Sequence, residues 1–291
     1  MKQIISTIFF IIFVSFIGCD KIEPPYIENN IQLAERSVLI EKFTGHKCSN
    51  CPEASRKVDE LKEFYGDNLI AVAIHPGNLT EFTAVDDNYP YDFSTNASDT
   101  IGIEMGATFL PLGSVNRING GISNRCFTKE EWGTQIGNLL YDADGLPLPK
   151  TVEIEINTDF NSNNKELVIE TNFTYQNSLE ENHSVCIFIM EDGIISPQID
   201  GTVYIEDYEH NHIYRCAVNG TYGESIDQFQ FVGIEGQSVY QATHTIVFNE
   251  NTNTNWTDDW NNIANCYVVA YVYNTETLVI EHTVKHHIVN E

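Results

Sequence analysis

A β-rich run, Ser37 to Thr44, and a short unbroken apolar run, Leu69 to Ile74, bracket a segment from Glu53 to Tyr65 whose apolar residues Val58, Leu61 and Phe64 recur at helical spacing. An unbroken apolar strand is one covered on both faces. Two strands joined by a single helix lie parallel, so the pattern predicts a β-α-β unit. Cys48-Ser49-Asn50-Cys51-Pro52 falls at the strand-to-helix turn and places the first cysteine at a helix N-terminus. There the unpaired backbone N–H groups and the helix dipole favour thiolate over thiol, which makes a sulfur both nucleophilic and a good leaving group. The spacing suits reversible dithiol–disulfide chemistry, and a structural bridge or half of a zinc site uses it too.

Gly145-Leu146-Pro147-Leu148-Pro149 marks a change of pattern. Before it, the polar stretch Asn78 to Thr100 is followed by Ile101 to Ala107, Pro111, a strand-like Gly113 to Asn116, and a helix from Lys129 to Leu140. Thr128 as N-cap and Glu131 three residues later make that helix start a capping box. Beyond the boundary the period becomes two in Val152 to Ile156, Leu167 to Tyr175, Val185 to Met190, Thr243 to Phe248, Cys266 to Tyr273 and Leu278 to Val284. Short alternating strands between Asn, Asp and Gly clusters predict an antiparallel, immunoglobulin-like sandwich over 147–291, after an α/β domain over 36–146. Glu191 to Gly236 lacks clear alternation, and its length marks a functional or packed excursion.

Met1-Lys2 followed by the apolar Ile4 to Ile17 and by Gly18-Cys19 reads as a lipoprotein signal peptide over 1–18. Cleavage before Cys19 leaves a lipidated N-terminal cysteine, whose acyl chains supply membrane attachment. Residues 19–35, with Pro24-Pro25, read as an extended tether. Removing Cys19 from seven cysteines leaves an even six, Cys48, Cys51, Cys126, Cys186, Cys216 and Cys266, in an oxidising compartment. Pairing beyond Cys48 and Cys51 is not set by spacing, and the strand cysteines Cys186 and Cys266 also suit buried free thiols. Fifteen basic against forty-two acidic residues give a net charge of −27. That balance argues against nucleic acid and against electrostatic attachment to anionic lipid, and it serves solubility.

The stretch Ser37 to Pro52 resembles the thioredoxin superfamily. Within it, Glu41-Lys42-Phe43-Thr44-Gly45-His46, Leu110-Pro111, Ser114-Val115-Asn116-Arg117, Asn211-His212-Ile213-Tyr214-Arg215 and Asn219-Gly220-Thr221-Tyr222-Gly223 resemble the outer-membrane-protein-28 (Omp28) family of lipoproteins. The resemblance implies a thioredoxin-like domain, with 78–100 as an insertion, then a β-sandwich, on a lipoprotein anchored to the outer membrane through Cys19. It implies Cys48 as the attacking thiolate, Cys51 as the resolving thiol and Pro111 as a cis-proline beside them. A proline there turns the preceding backbone toward the sulfurs and fills space a metal needs. The chain departs from thioredoxins at Lys47, where they carry tryptophan, and at Lys42, where they carry an acid. A neighbouring ammonium lowers a thiol pKa, while the usual proton acceptor for Cys51 is missing, with Glu41 and His46 as candidates to replace it.

His46 and His75 lie at strand ends near the dithiol, as tuning groups or plain loop residues. Glu206-Asp207-Tyr208-Glu209-His210-Asn211-His212 alternates carboxylates and imidazoles as a divalent-ion site does, and as acidic surface loops also do; Asp86-Asp87-Asn88 is a weaker case. No glycine-rich phosphate loop or nucleophile elbow is present, and no cofactor is expected. The expected partners are envelope protein thiols and disulfides, together with the membrane at Cys19. Oligomeric state is not legible. Two functions fit: thiol–disulfide exchange, or a binding and assembly module that uses the dithiol domain as scaffold.

Overall fold

β1 (Val38–Phe43) and β2 (Leu69–Ile74) are buried along their whole length and pair in parallel, from Val38 opposite Leu69 to Phe43 opposite Ile74. This is the β-α-β unit, seen in a computed structural model that describes residues 35–175, 182–226, 238–248 and 260–289. The expected signal peptide, Cys19 and the tether up to residue 34 lie outside the described residues. The crossover is α1 (Cys51–Tyr65), which buries Cys51, Pro52, Ala54, Val58 and Leu61. Phe64, expected on that face, is 79% exposed, and Tyr65 packs inward instead. At about 100° per residue, the step of four from Leu61 lands about 40° past a full turn, on the buried stripe, whereas the step of three stops about 60° short of it.

The polar stretch after β2 holds the short α2 (Thr80–Thr83) and the start of α3 (Asn96–Met105). β3 (Leu112–Val115) then returns antiparallel to β1, and β4 (Cys126–Phe127) pairs with β3. α4 (Lys129–Leu140) starts where its capping box places it: the Thr128 N–H donates to the Glu131 carboxylate at 3.0 Å.

Beyond Gly145 to Pro149, β5 (Val152–Asn161) and β6 (Glu166–Tyr175) pair antiparallel. β7 (His183–Glu191) follows, then six short strands: β8 (Ile194–Ile195), β9 (Gln198–Asp200), β10 (Val203–Ile205), β11 (Glu209–His210), β12 (Ile213–Ala217) and β13 (Glu224–Ser225). β14 (Ser238–Val247) joins β6, and β15 (Cys266–Asn274) with β16 (Ile280–His287) closes the chain. β5, β6 and β14 form a three-stranded sheet packed on β7 and β15, the sandwich expected from period-two patterning.

β7 and β15 nevertheless are not half-exposed sandwich strands, because each is buried on both faces. Cys186, Phe188, Met190, Val269 and Tyr271 point into the core that holds β1, β2 and the dithiol. Val185, Ile187, Ile189, Val268 and Ala270 point into the core beneath β5, β6 and β14. A nine-stranded mixed sheet runs β16-β15-β7-β12-β2-β1-β3-β4, with β13 beside β7. Its joint is β12, parallel to β2 where Ile213 faces Ala73 and antiparallel to β7. The change of pattern at Gly145 to Pro149 therefore separates two kinds of sequence, while one sheet runs across it and residues Ala34–Glu291 form one compact unit.

Two motifs singled out in the sequence hold this sheet together. Asn116 takes a left-handed conformation, accepts from the Leu39 N–H at 2.7 Å and donates to the Ile280 carbonyl at 2.9 Å, so it ties β1 to β16. Asn219 accepts from the Ile187 N–H and donates to the Val185 carbonyl. Gly223, at φ 68°, lies so close to the Val185 carbonyl that a β-carbon there has no room.

Candidate functional site

The loop from Thr44 to Asn50 leaves the end of β1 and delivers two sulfurs to the start of α1. Cys48 and Cys51 are joined in a disulfide with a Cα–Cα separation of 5.4 Å. Helix geometry begins at Cys51, so Cys48 lies in the preceding turn rather than in the helix, its N–H donating to the Gly45 carbonyl and its carbonyl accepting from the Cys51 N–H. Gly45 is required because a β-carbon there meets the Phe82 carbonyl at 2.6 Å, and that carbonyl accepts the Lys47 N–H. The Leu110–Pro111 peptide bond is cis, and Leu110 shares a core with both cysteines.

Adjacent strand residues face opposite ways, and the two charges of β1 diverge accordingly. Glu41 enters the core shared with β15, where Arg117 donates to both its oxygens, the shortest contact 2.6 Å, and also to the Tyr271 hydroxyl at 2.8 Å. That engagement removes Glu41 as a proton acceptor for Cys51. His46 donates its Nε2–H to the Ala84 carbonyl and stacks on Tyr89, and burial lowers its pKa.

Lys42 faces the other side, only 7% exposed, and donates to the Ser55 hydroxyl at 2.5 Å. Burial pushes its pKa down to about 8, partly opposed by Asp59. Lys42, Cys51, Ser55, His75, Gln198 and His210 line one small cavity of about 70 Å³. Burial also holds both imidazoles neutral, His75 well below its ordinary range and His210 down to about 3. Phe93 stacks on the His75 ring and lies against His210. Lys47 pairs with Asp86 at 2.7 Å, so its ammonium is already compensated.

The dithiol is covered from above. Gln198 Nε2 donates to the Gly45 and Cys48 carbonyls, the Ile199 N–H to the His46 carbonyl at 3.1 Å, and the Gly201 N–H to the Ser49 carbonyl at 2.8 Å. Arg56 of α1 clamps Asp200 at 2.8 Å. Under this β9–β10 hairpin Cys48 is 2% and Cys51 1% exposed. Sequence reasoning placed the hairpin in a long functional or packed excursion without linking it to the dithiol. Nothing local in Gln198 to Gly201 announces a partner some 150 residues upstream.

The acid–histidine segment is dispersed by the fold. His210 Nε2–H donates to the Ser196 carbonyl, while His212 Nδ1–H donates to Asp192 and its Nε2 accepts from Lys62. Among the described residues, no group of three or more His, Cys, Asp or Glu side chains is placed to hold a metal ion. Cys126, Cys186, Cys216 and Cys266 are in no disulfide, so the even count does not become further bridges among them. Burial raises their pKa, to about 12, about 11 and about 12 for the first three, which disfavours the thiolate form. Among the described residues, no helix is long and apolar enough to cross a membrane.

The family model described as "Outer membrane protein Omp28" matches residues 98–291. No curated protein matches the chain. Among solved structures, HBP35 of Porphyromonas gingivalis is similar with a TM-score of 0.64 at 12% identity, over 88% of this chain and 76% of that one. At that identity the likeness is one of fold. A domain of the outer membrane lipoprotein Omp28 from Porphyromonas gingivalis aligns at 16% identity over 48% of this chain and 88% of that one, with a TM-score of 0.32.

Proposed function

The chain belongs to the Omp28 family of outer membrane proteins, and on that premise we propose that it is an envelope lipoprotein whose thioredoxin-like half exchanges disulfides with protein thiols. The observation that carries this reading is the Cys48–Cys51 disulfide at the turn between β1 and α1, closed between that turn and the first residue of the helix. The parallel β1–β2 pair and the cis bond before Pro111 support it. Cys48 attacks a partner disulfide to form a mixed disulfide, and Cys51 attacks Cys48 to release the reduced partner. Cys19, lipidated, holds the protein to the outer membrane through the tether 19–35.

A second reading has its own support. Both sulfurs are buried beneath the β9–β10 hairpin, as they are in a disulfide that only staples a scaffold. Equilibration with glutathione buffers separates the two: exchange requires a potential in the range of about −120 to −270 mV spanned by dithiol oxidoreductases, and an inert staple falls below about −300 mV. Under the first reading Cys48→Ser abolishes thiol-dependent turnover, and Cys51→Ser accumulates mixed disulfides with partners. A wild-type pair that glutathione cannot reduce overturns exchange.

A further inference from the structure

Lys42 occupies a position that a purely structural residue fills poorly. Its side chain is buried, its one hydrogen-bond partner is the Ser55 hydroxyl, and among the described residues no carboxylate lies within 4 Å of its nitrogen. An ammonium stripped of water and left with one neutral partner is costly, and a neutral amine is not. The groups facing it are Asp59 from α1, His75 after β2, and Tyr208, Glu209, His210 and His212 from the covering segment. Of these only Asp59 raises its pKa, and burial outweighs it.

The same cavity is lined by Cys51, and Ser55, which accepts from Lys42, donates to the Cys51 carbonyl at 3.3 Å. Thus Ser55 fixes the amine against the first turn of the helix that carries the resolving sulfur. The cavity that Lys42 and Cys51 both line is large enough to hold a water.

We infer that Lys42 is the proton acceptor for Cys51, the amine of β1 taking up the thiol proton as Cys51 resolves the mixed disulfide. This rests on the exchange reading above. In the step, Cys51 S–H gives its proton to the neutral Lys42 amine, and the thiolate attacks the Cys48 sulfur. The Cys48–Cys51 bond forms as the bond from Cys48 to the partner sulfur breaks, and the departing partner thiolate takes a proton from water. Across the cycle the dithiol is oxidised and the partner disulfide reduced, two electrons in each case. In reverse, Lys42 as ammonium protonates the departing Cys51 thiolate.

The test uses the reduced full chain converted at Cys48 to a mixed disulfide with glutathione, and follows release of glutathione as a first-order step against pH. Wild type is expected to rise toward pH 8 and then level, where the amine has lost its proton. Lys42→Met is expected to be slower by about 100-fold at pH 7.5, the scale of general acid–base assistance, with its rise moved to higher pH. Lys42→Arg restores charge and a donor to Ser55 but cannot accept a proton, so it is expected to stay slow. A filler or fixed charge predicts rescue by arginine. Lys42→Met with wild-type rate and profile, or rescue by Lys42→Arg, overturns the inference. Where circular dichroism shows that Lys42→Met does not fold, Ser55→Ala carries the test: at least a several-fold loss supports the assignment, and an unchanged profile overturns it. Failure of wild type itself to release glutathione defeats the exchange reading, a result distinct from normal release in the lysine variants.

Discussion

Glu41 and Lys42 are neighbours in sequence and opposites in role. Glu41 meets Arg117 in a buried core, where the guanidinium grips both oxygens and also reaches Tyr271. Removing one partner of such a pair leaves the other charge buried and uncompensated, which costs about 3–5 kcal/mol. Arg117→Met is therefore expected to lower stability by about that much in urea unfolding, with part regained in the double variant Glu41→Leu/Arg117→Met. An unchanged midpoint in the single variant contradicts the role given to the pair. Both residues stood in the motifs that pointed to the family, and sequence offered no reason to join them. Their meeting depends on β3 returning beside β1, a register that lies outside either local pattern.

Among the elements, the β9–β10 hairpin controls access to the sulfurs. Its edge gives two backbone N–H groups and the Gln198 amide to carbonyls of the dithiol loop, so under the proposed exchange a partner has to displace the hairpin to reach the sulfurs. A side-chain hydrogen bond contributes about 1 kcal/mol, and Gln198 makes two to this loop. Gln198→Ala is expected to open the cover more often and speed reduction of Cys48–Cys51 by dithiothreitol about tenfold, with little change in potential if the loop itself keeps its shape. Equal rates in wild type and variant refute the hairpin as a cover. By contrast, α4 was legible almost to the residue, because a capping box and a helical stripe are local properties. Phe64 was misplaced because single-residue phase along α1 is decided by what the helix packs against.

For the molecule as a whole, the buried imidazoles set a pH limit. His75, His210 and His282 are held neutral by burial, His210 down to about 3 and His282 to about 4, against an ordinary 6.5 in the unfolded chain. Folded pKa values below unfolded ones mean that the unfolded state binds more protons in the interval between them. Stability is then fully present above about pH 6.5 and lost as pH falls toward 4, with an uptake of about three protons on unfolding near pH 5. Thermal unfolding from pH 7.5 to 4.5 is expected to show a steadily falling midpoint, with a shallower fall for His210→Phe if that variant stays folded. A flat midpoint across this window contradicts neutral burial of these rings.

By itself the sequence determined the β-α-β unit, the dithiol at its turn, the capped α4 and the alternating strands of the sandwich, since each follows from periodicity, caps and turn chemistry within a few residues. Tertiary structure decided that β7 and β15 form a wall shared by two cores, that β12 carries one sheet across the change of pattern, and that a distant hairpin covers Cys48 and Cys51. It also decided which of Glu41, His46 and Lys42 faces the cavity lined by Cys51. These outcomes rest on contacts between residues far apart along the chain, and a local pattern carries the face a strand presents but not the partner that covers it.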